Sequence, residues 1–154
     1  MMDYEDYELE QQATQFVRFY GLVPQNNFFT CYQYFHPIFE IIPFPPLLDG
    51  YVTKIVLFVI TPEEVIVKRI GSGLKLVSLK EREFTKNVIK IKKSEMLSFH
   101  VKEWSVLGFY LGYLITLKTA QKNYYFHVGK TTGTDFSTEN FFELNRKKFL
   151  GWLN

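Results

Sequence analysis

The chain has 154 residues, with 18 Lys or Arg against 16 Asp or Glu and a formal net charge of +2. This length suits one domain that buries most of its apolar surface without covalent staples. The single cysteine excludes an internal disulfide framework and fits a reducing compartment. The acidic start and the lack of an apolar run long enough to span a bilayer favour a soluble, cytoplasmic protein.

The first predicted element is a helix over residues 5–20. Leu9, Ala13, Phe16 and Val17 recur at helical spacing, and Gly21 supplies a stop signal. Because these apolar side chains share one face, we expect that face to dock on the rest of the chain or on a partner molecule.

Residues 22–48 show no clear period and are rich in aromatic side chains and proline, which argues against both a disordered linker and a long helix. We expect this segment to wrap over the sheet, with a short strand at 39–42. Its aromatic side chains either pack an ordinary core or form an uncharged patch for self-association or a protein partner. The candidate partner-binding residues are Phe28, Phe29, Tyr32, Tyr34, Phe35 and Phe39.

Seven strands are predicted from apolar alternation and turn signals. Residues 55–60 are apolar on both faces, which predicts cover on both sides of that strand. In 88–92, by contrast, Ile89 and Ile91 alternate with Lys90 and Lys92, which is typical of a strand with one solvated face. The strands are expected near 51–60, 65–70, 74–79, 88–92, 96–103, 111–119 and 123–129.

A closing helix is predicted over 137–153, with Ser137 as its N-cap. Its apolar residues form one broad face that would plug the open end or one side of a bent sheet. They are Phe141, Phe142, Leu144, Phe149, Trp152 and Leu153.

Charge is distributed unevenly along the chain. Residues 1–20 carry five acids and one arginine, whereas residues 68–102 carry ten Lys or Arg against three Glu. Such lysines either solvate strand faces and protect sheet edges or form a surface for phospholipid headgroups. No aromatic RNA-binding signature or metal-finger spacing supports nucleic acid as the partner. The candidate anion-binding residues are Lys68, Arg69, Lys90, Lys92, Lys93 and Lys102.

No catalytic, cofactor-binding or metal-binding motif is complete. His36, His100 and His127 lack metal-ligand spacing, and Cys31 with His36 lacks a third residue that would orient the histidine. The glycine-containing stretch 129–133 lacks the earlier glycine of a phosphate-binding loop, because position 124 is a tyrosine. We therefore expect no catalytic residues, no cofactor and no metal.

Seven strands followed by a helix, together with segments 59–67 and 89–99, resemble the bacterial pleckstrin-homology-like families over about residues 49–153. The resemblance implies a mainly β fold, a seven-stranded bent sheet or partly open barrel with a C-terminal helix. It also implies a non-catalytic, often self-associating module without a common ligand. Phosphoinositide binding is not implied, because the first predicted turn, 61–64, is acidic. Members of this superfold also bind peptides along a sheet edge, and the resemblance leaves this binding mode open.

The sequence thus predicts an N-terminal helix and aromatic extension over 1–48, packed on a pleckstrin-homology-like domain over 49–154. The expected function is protein binding or self-association, with homo-oligomers as one form. The alternative is a membrane-peripheral adaptor for anionic surfaces, which would use the lysine-rich strands.

Overall fold

The computed structural model describes residues 4–34, 54–72, 79–129 and 134–153. Helix α1 spans Tyr4–Phe19 and helix α2 spans Asp135–Arg146. The strands are β1 (Phe28–Tyr34), β2 (Lys54–Ile60), β3 (Glu64–Ser72), β4 (Val88–Lys92), β5 (Met96–Val106), β6 (Phe109–Thr119) and β7 (Asn123–Val128). No helix in these ranges is long and apolar enough to cross a bilayer.

The strands form one antiparallel sheet in the order β4-β3-β2-β1-β7-β6-β5. The sheet curls into a half-barrel whose first and last strands are β4 and β5. This confirms the predicted fold class, which is mainly β with an N-terminal and a C-terminal helix.

The strand that joins the two halves of the sheet is β1, which the sequence placed in a wrapping segment rather than in the sheet. Phe28 to Gln33 pair with β2, and Tyr32 to Tyr34 pair with β7. Because β1 is covered on both faces at its start, its apolar and aromatic residues do not alternate with polar ones. Residues 28–34, which were predicted to belong to the N-terminal extension, are therefore part of the same sheet as β2 and β7.

Five of the predicted strands match observed strands within a few residues, and β4 coincides with its prediction. A sixth, predicted over 51–60, is observed over the described part of that range as β2. The strand predicted at 74–79 and the short one at 39–42 lie outside the described residues, apart from Leu79. Leu79 is buried and belongs to no strand.

Two apolar clusters lie on opposite faces of the sheet. The inner cluster, on the face toward α2, includes Phe29, Val56, Phe58, Val67, Ile91, Phe99, Ile115, Phe126, Phe141, Phe149 and Trp152. The outer cluster, on the face toward α1, includes Ala13, Phe16, Val17, Phe28, Leu57, Val59, Ile66, Ile70, Phe84 and Phe136. Since β2 contributes to both clusters, the predicted cover on both of its faces is confirmed.

Helix α2 provides hydrogen-bond partners for the backbone of β1 at the residues that do not pair with β7. The Thr30 backbone N–H donates to Ser137 Oγ (2.9 Å), and Asn140 Nδ2 donates to the Phe28 carbonyl (2.9 Å). Ser137 is therefore a buried strand partner inside the helix, and its predicted role as N-cap is wrong because the N-cap position is Thr134.

The C-terminal helix ends earlier than predicted, because the backbone reverses after Arg146. Lys148, Phe149 and Leu150 have φ values of 52°, 49° and 54°, which are left-handed, and Gly151 follows at 96°. This reversal places Phe149 and Trp152 in the inner cluster, where the Trp152 Nε1–H donates to the Thr61 carbonyl (2.7 Å). The end of the chain thus ties β5 to the turn between β2 and β3.

Candidate functional site

The predicted anion-binding residues do not share one surface. The register of β3 and β4 places Lys68, Lys90 and Lys92 on the outer face, because Ile66 of the outer cluster is paired with Lys90. Arg69 alternates to the other face, and Lys93 lies in the short turn after β4. Lys102 is on β5, which pairs with β6 and not with β3 or β4.

Lys68 is a structural residue rather than a surface cation. Its side chain is buried with 2% exposed, and its Nζ donates to the Lys86 carbonyl. Burial lowers the pKa of Lys68, with Glu83 opposing that shift and Lys86 adding to it. The ammonium group therefore fastens the connection between β3 and β4 and offers nothing to a ligand.

Lys90 also has an intramolecular role. Its Nζ lies 4.6 Å from the centroid of the Tyr20 ring, a cation–π contact between β4 and the end of α1. The Tyr20 hydroxyl in turn donates to the Phe84 carbonyl (2.7 Å), so this corner fixes α1 against the sheet.

The predicted partner-binding aromatics are divided between core and surface. Phe28 and Phe29 are buried, with 4% and 0% exposed, so they present no face to a partner. Phe29 stacks on Phe58 at 4.9 Å between ring centroids. Tyr32 is exposed and Tyr34 half-buried, both beside His127. Phe35 and Phe39 lie outside the described residues.

A pocket of about 200 Å³ opens at the end of the half-barrel where β1 ends, β2 begins and β3 leads toward β4. It lies on the inner face, since Lys54 and Arg69 alternate with inner-cluster residues of β2 and β3. The lining residues are Gln33, Lys54, Val67, Arg69, Asn87, Val88 and Ile89.

Regular alternation along β3 places Arg69 on the inner face, and a bulge follows it. Ile55 is paired with Gly71 and Val56 with Arg69, so β3 contains one extra residue, Ile70, opposite this step. The backbone N–H of Arg69 donates to the Asn87 carbonyl (3.1 Å), and Asn87 itself has a φ of 52°. Asparagine accepts this left-handed conformation more readily than most residues, which explains its place at the pocket rim.

The pocket concentrates positive charge. Burial is the main cause that lowers the pKa of Lys54, and the neighbouring cations Arg69 and Lys122 lower it further. Within the described ranges, both ion pairs are at the C-terminal end of α2, where Glu143 binds Arg146 (2.8 Å) and Lys147 (3.0 Å). Lys54 and Arg69 therefore face the pocket without a described carboxylate to neutralise them.

Gln33 supplies a neutral group to the same pocket. It is buried, with 8% exposed, and is paired with Lys54 across β1 and β2. A glutamine amide both donates and accepts hydrogen bonds, so it can bind an oxyanion or a neutral oxygen beside it. Two cations and an amide donor in a partly enclosed pocket are suited to hold a phosphate, sulfate or carboxylate group.

The cysteine and the described histidines do not form a catalytic or metal site. Burial raises the pKa of the Cys31 thiol, which therefore stays protonated, and His36 lies outside the described residues. His127 Nε2 is 2.7 Å from the Leu111 carbonyl, and its ring meets Trp104 edge-on at 5.2 Å. Among described residues no group of three or more His, Cys, Asp or Glu could hold a metal ion.

Comparisons with protein-family models, curated proteins and solved structures give no significant match. The functional argument therefore depends on the pocket itself.

Of the pocket residues, sequence reasoning identified only Arg69 as a binding candidate. Lys54 and Gln33 are 21 positions apart in sequence and meet only through the pairing of β1 with β2. The one feature of the sequence that could have indicated this site is Lys54, a lone lysine at the start of an otherwise apolar strand.

Proposed function

We propose that this chain is a non-catalytic binding module that holds an anionic group of its ligand between Lys54 and Arg69. The observation that carries the proposal is the convergence of these two cations on one pocket without a described carboxylate. Its volume of about 200 Å³ is below the range of about 300–1,000 Å³ typical of pockets that enclose whole small molecules. The expected ligand therefore inserts one phosphate-like or carboxylate group and leaves the rest outside.

This proposal retains the anionic ligand of the sequence-based alternative but changes its site. The seven-stranded half-barrel with a C-terminal helix supports membership of the pleckstrin-homology-like families, which we also propose. In that case the family's first strand corresponds to β1, and the resemblance begins near residue 28 rather than near 49.

Isothermal titration with inorganic pyrophosphate at low ionic strength tests the pocket. Lys54→Ala and Arg69→Ala should each weaken binding by roughly tenfold to a hundredfold, because a hydrogen bond to a charged group contributes about 1.5–3 kcal/mol. Lys90→Ala is the matched control, since Lys90 is equally cationic but lies on the outer face, and it should leave affinity within about twofold. Equal losses in all three variants would instead assign binding to the lysine-rich strands.

The depressed pKa of Lys54 gives this binding a pH dependence. As pH rises toward the usual lysine value of 10.5, Lys54 loses its proton earlier than a free lysine, whereas Arg69 stays charged. As pH is raised, anion affinity should therefore begin to fall before pH 10.5 is reached.

The same depressed pKa affects stability. The unfolded state holds the Lys54 proton more tightly than the folded state, so the contribution of Lys54 to stability rises with pH between its folded pKa and 10.5.

A second candidate is protein assembly at the free edge of β5, and it corresponds to the protein-binding function expected from the sequence. In the described part of the chain β5 pairs with β6 alone, which leaves one row of backbone groups available to an added strand. Static light scattering at high protein concentration tests the homo-oligomeric form, and a strictly monomeric mass would contradict it.

A further inference from the structure

The β5–β6 hairpin ends in an apolar turn with an unfavourable residue at its tip. Leu107 and Gly108 are the two turn residues, with φ values of 52° and 81°. Two-residue hairpin turns with positive φ at both positions favour Asn-Gly or Asp-Gly. A leucine there is strained by its Cβ, and strained residues of this kind cluster at functional sites.

The tip places its apolar side chains in solvent. Leu107 is 93% exposed and Phe109 is 72% exposed, the two largest values among the described exposed large hydrophobic residues. No charged residue occurs from Trp104 to Leu117. Behind the tip, the rings of Tyr110 and Tyr113 contact each other edge-on at 6.1 Å between centroids.

The size of this patch argues against a second copy of the chain as its occupant. Two exposed apolar side chains offer about 300–400 Å² per copy, whereas a stable interface needs about 800 Å² on each partner. Apolar side chains at a tip with tyrosines behind it match the polarity gradient of a bilayer interface, where tyrosine is enriched.

We propose that the hairpin tip inserts Leu107 and Phe109 into the interfacial region of a lipid bilayer. By strand register the tip is distant from the pocket along β6. Gln33 is level with Phe126 and Ile115, and from Ile115 to Phe109 β6 runs a further six residues, about 20 Å. The tip and the pocket share no residue, and this proposal does not depend on the proposed function.

Flotation with neutral phosphatidylcholine vesicles tests the insertion. We expect Leu107→Asn to reduce vesicle binding roughly tenfold or more, since burial of a leucine side chain is lost. The same variant should unfold at an equal or higher urea concentration, because asparagine relieves the strained turn. Leu97→Asn is the matched control: Leu97 is 69% exposed on β5 but away from the tip, and its replacement should leave binding unchanged.

Insertion also predicts a spectroscopic signal. Because Trp104 and Trp152 are both buried, the tryptophan introduced by Phe109→Trp is the one that vesicles can contact. Its fluorescence emission should shift to shorter wavelength when vesicles are added. Binding should persist at high salt, because it does not depend on charge. The proposal is overturned by absence of binding to neutral vesicles, by binding that requires anionic lipid and fades with salt, or by wild-type binding in Leu107→Asn. A dimer that Leu107→Asn abolishes would also overturn it.

Discussion

Gly112→Ala is expected to lower the free energy of unfolding by about 3 kcal/mol or more. A Cβ at position 112 would lie 2.2 Å from the Val128 carbonyl oxygen and 2.9 Å from the Gly129 carbonyl carbon, both backbone atoms that cannot turn aside. The residue also has a φ of 118°, a conformation that is nearly restricted to glycine. The substitution should therefore separate β6 from the end of β7, and urea denaturation measures the loss.

Gly108→Ala separates the effect of the steric clash from the effect of the positive φ. Gly108 has a φ of 81°, but nothing lies within 4 Å of an added Cβ, so its substitution strains only the local backbone and should cost about 1–2 kcal/mol. Equal losses in the two variants would show that β6 and β7 do not approach as closely as the structure has them.

Trp152→Ala should destabilise the fold by about 3–5 kcal/mol, the usual range for removal of a buried aromatic side chain. The Trp152 ring is 98% buried and lies 5.7 Å from Phe99, and its indole N–H is bonded to the Thr61 carbonyl. The loss should appear as a lower urea midpoint with an unchanged slope.

Trp152→Phe tests the hydrogen bond apart from the packing. Phenylalanine retains most of the apolar contact and leaves the Thr61 carbonyl without the indole donor, so we expect a smaller loss of about 1–3 kcal/mol. If Trp152→Ala were no more harmful than an exposed substitution, the last turn of the chain would not close the half-barrel.

The sequence predicted the fold class because most strands expose one face, and alternation then marks them. Strand β4 coincides with its prediction for this reason, since Lys90 and Lys92 face away from Ile89 and Ile91. Strand β1 was missed because both of its faces are covered at Phe28 and Phe29, so no period is visible. Burial on both faces depends on the tertiary structure, and the local pattern of apolar and polar residues does not reveal it.

The end of α2 was predicted too late for a related reason. Lys148, Phe149 and Leu150 do not favour positive φ, and only Gly151 is suited to it. The left-handed turn exists because it directs Phe149 and Trp152 into the inner cluster, where burial of two aromatic side chains outweighs the local strain.

The candidate site was predicted only in part, because its residues depend on strand register. Composition identified a basic stretch, but Lys68 is buried, Lys90 stacks on Tyr20, and Arg69 lies on the opposite face. Which face each cation occupies depends on the register of β3 and β4, which the residue types alone do not specify. Lys54, which completes the pocket, lies outside the basic stretch.

Chemical-shift mapping by NMR during titration with inorganic pyrophosphate most directly tests the central claim. The anion-binding pocket predicts that the largest amide shifts occur at Gln33, Lys54, Arg69 and Ile89, with their amplitude falling as salt is added. Largest shifts at Lys90, Lys92 and Lys93, with those four amides unchanged, would contradict it and place the anion on the lysine-rich surface instead.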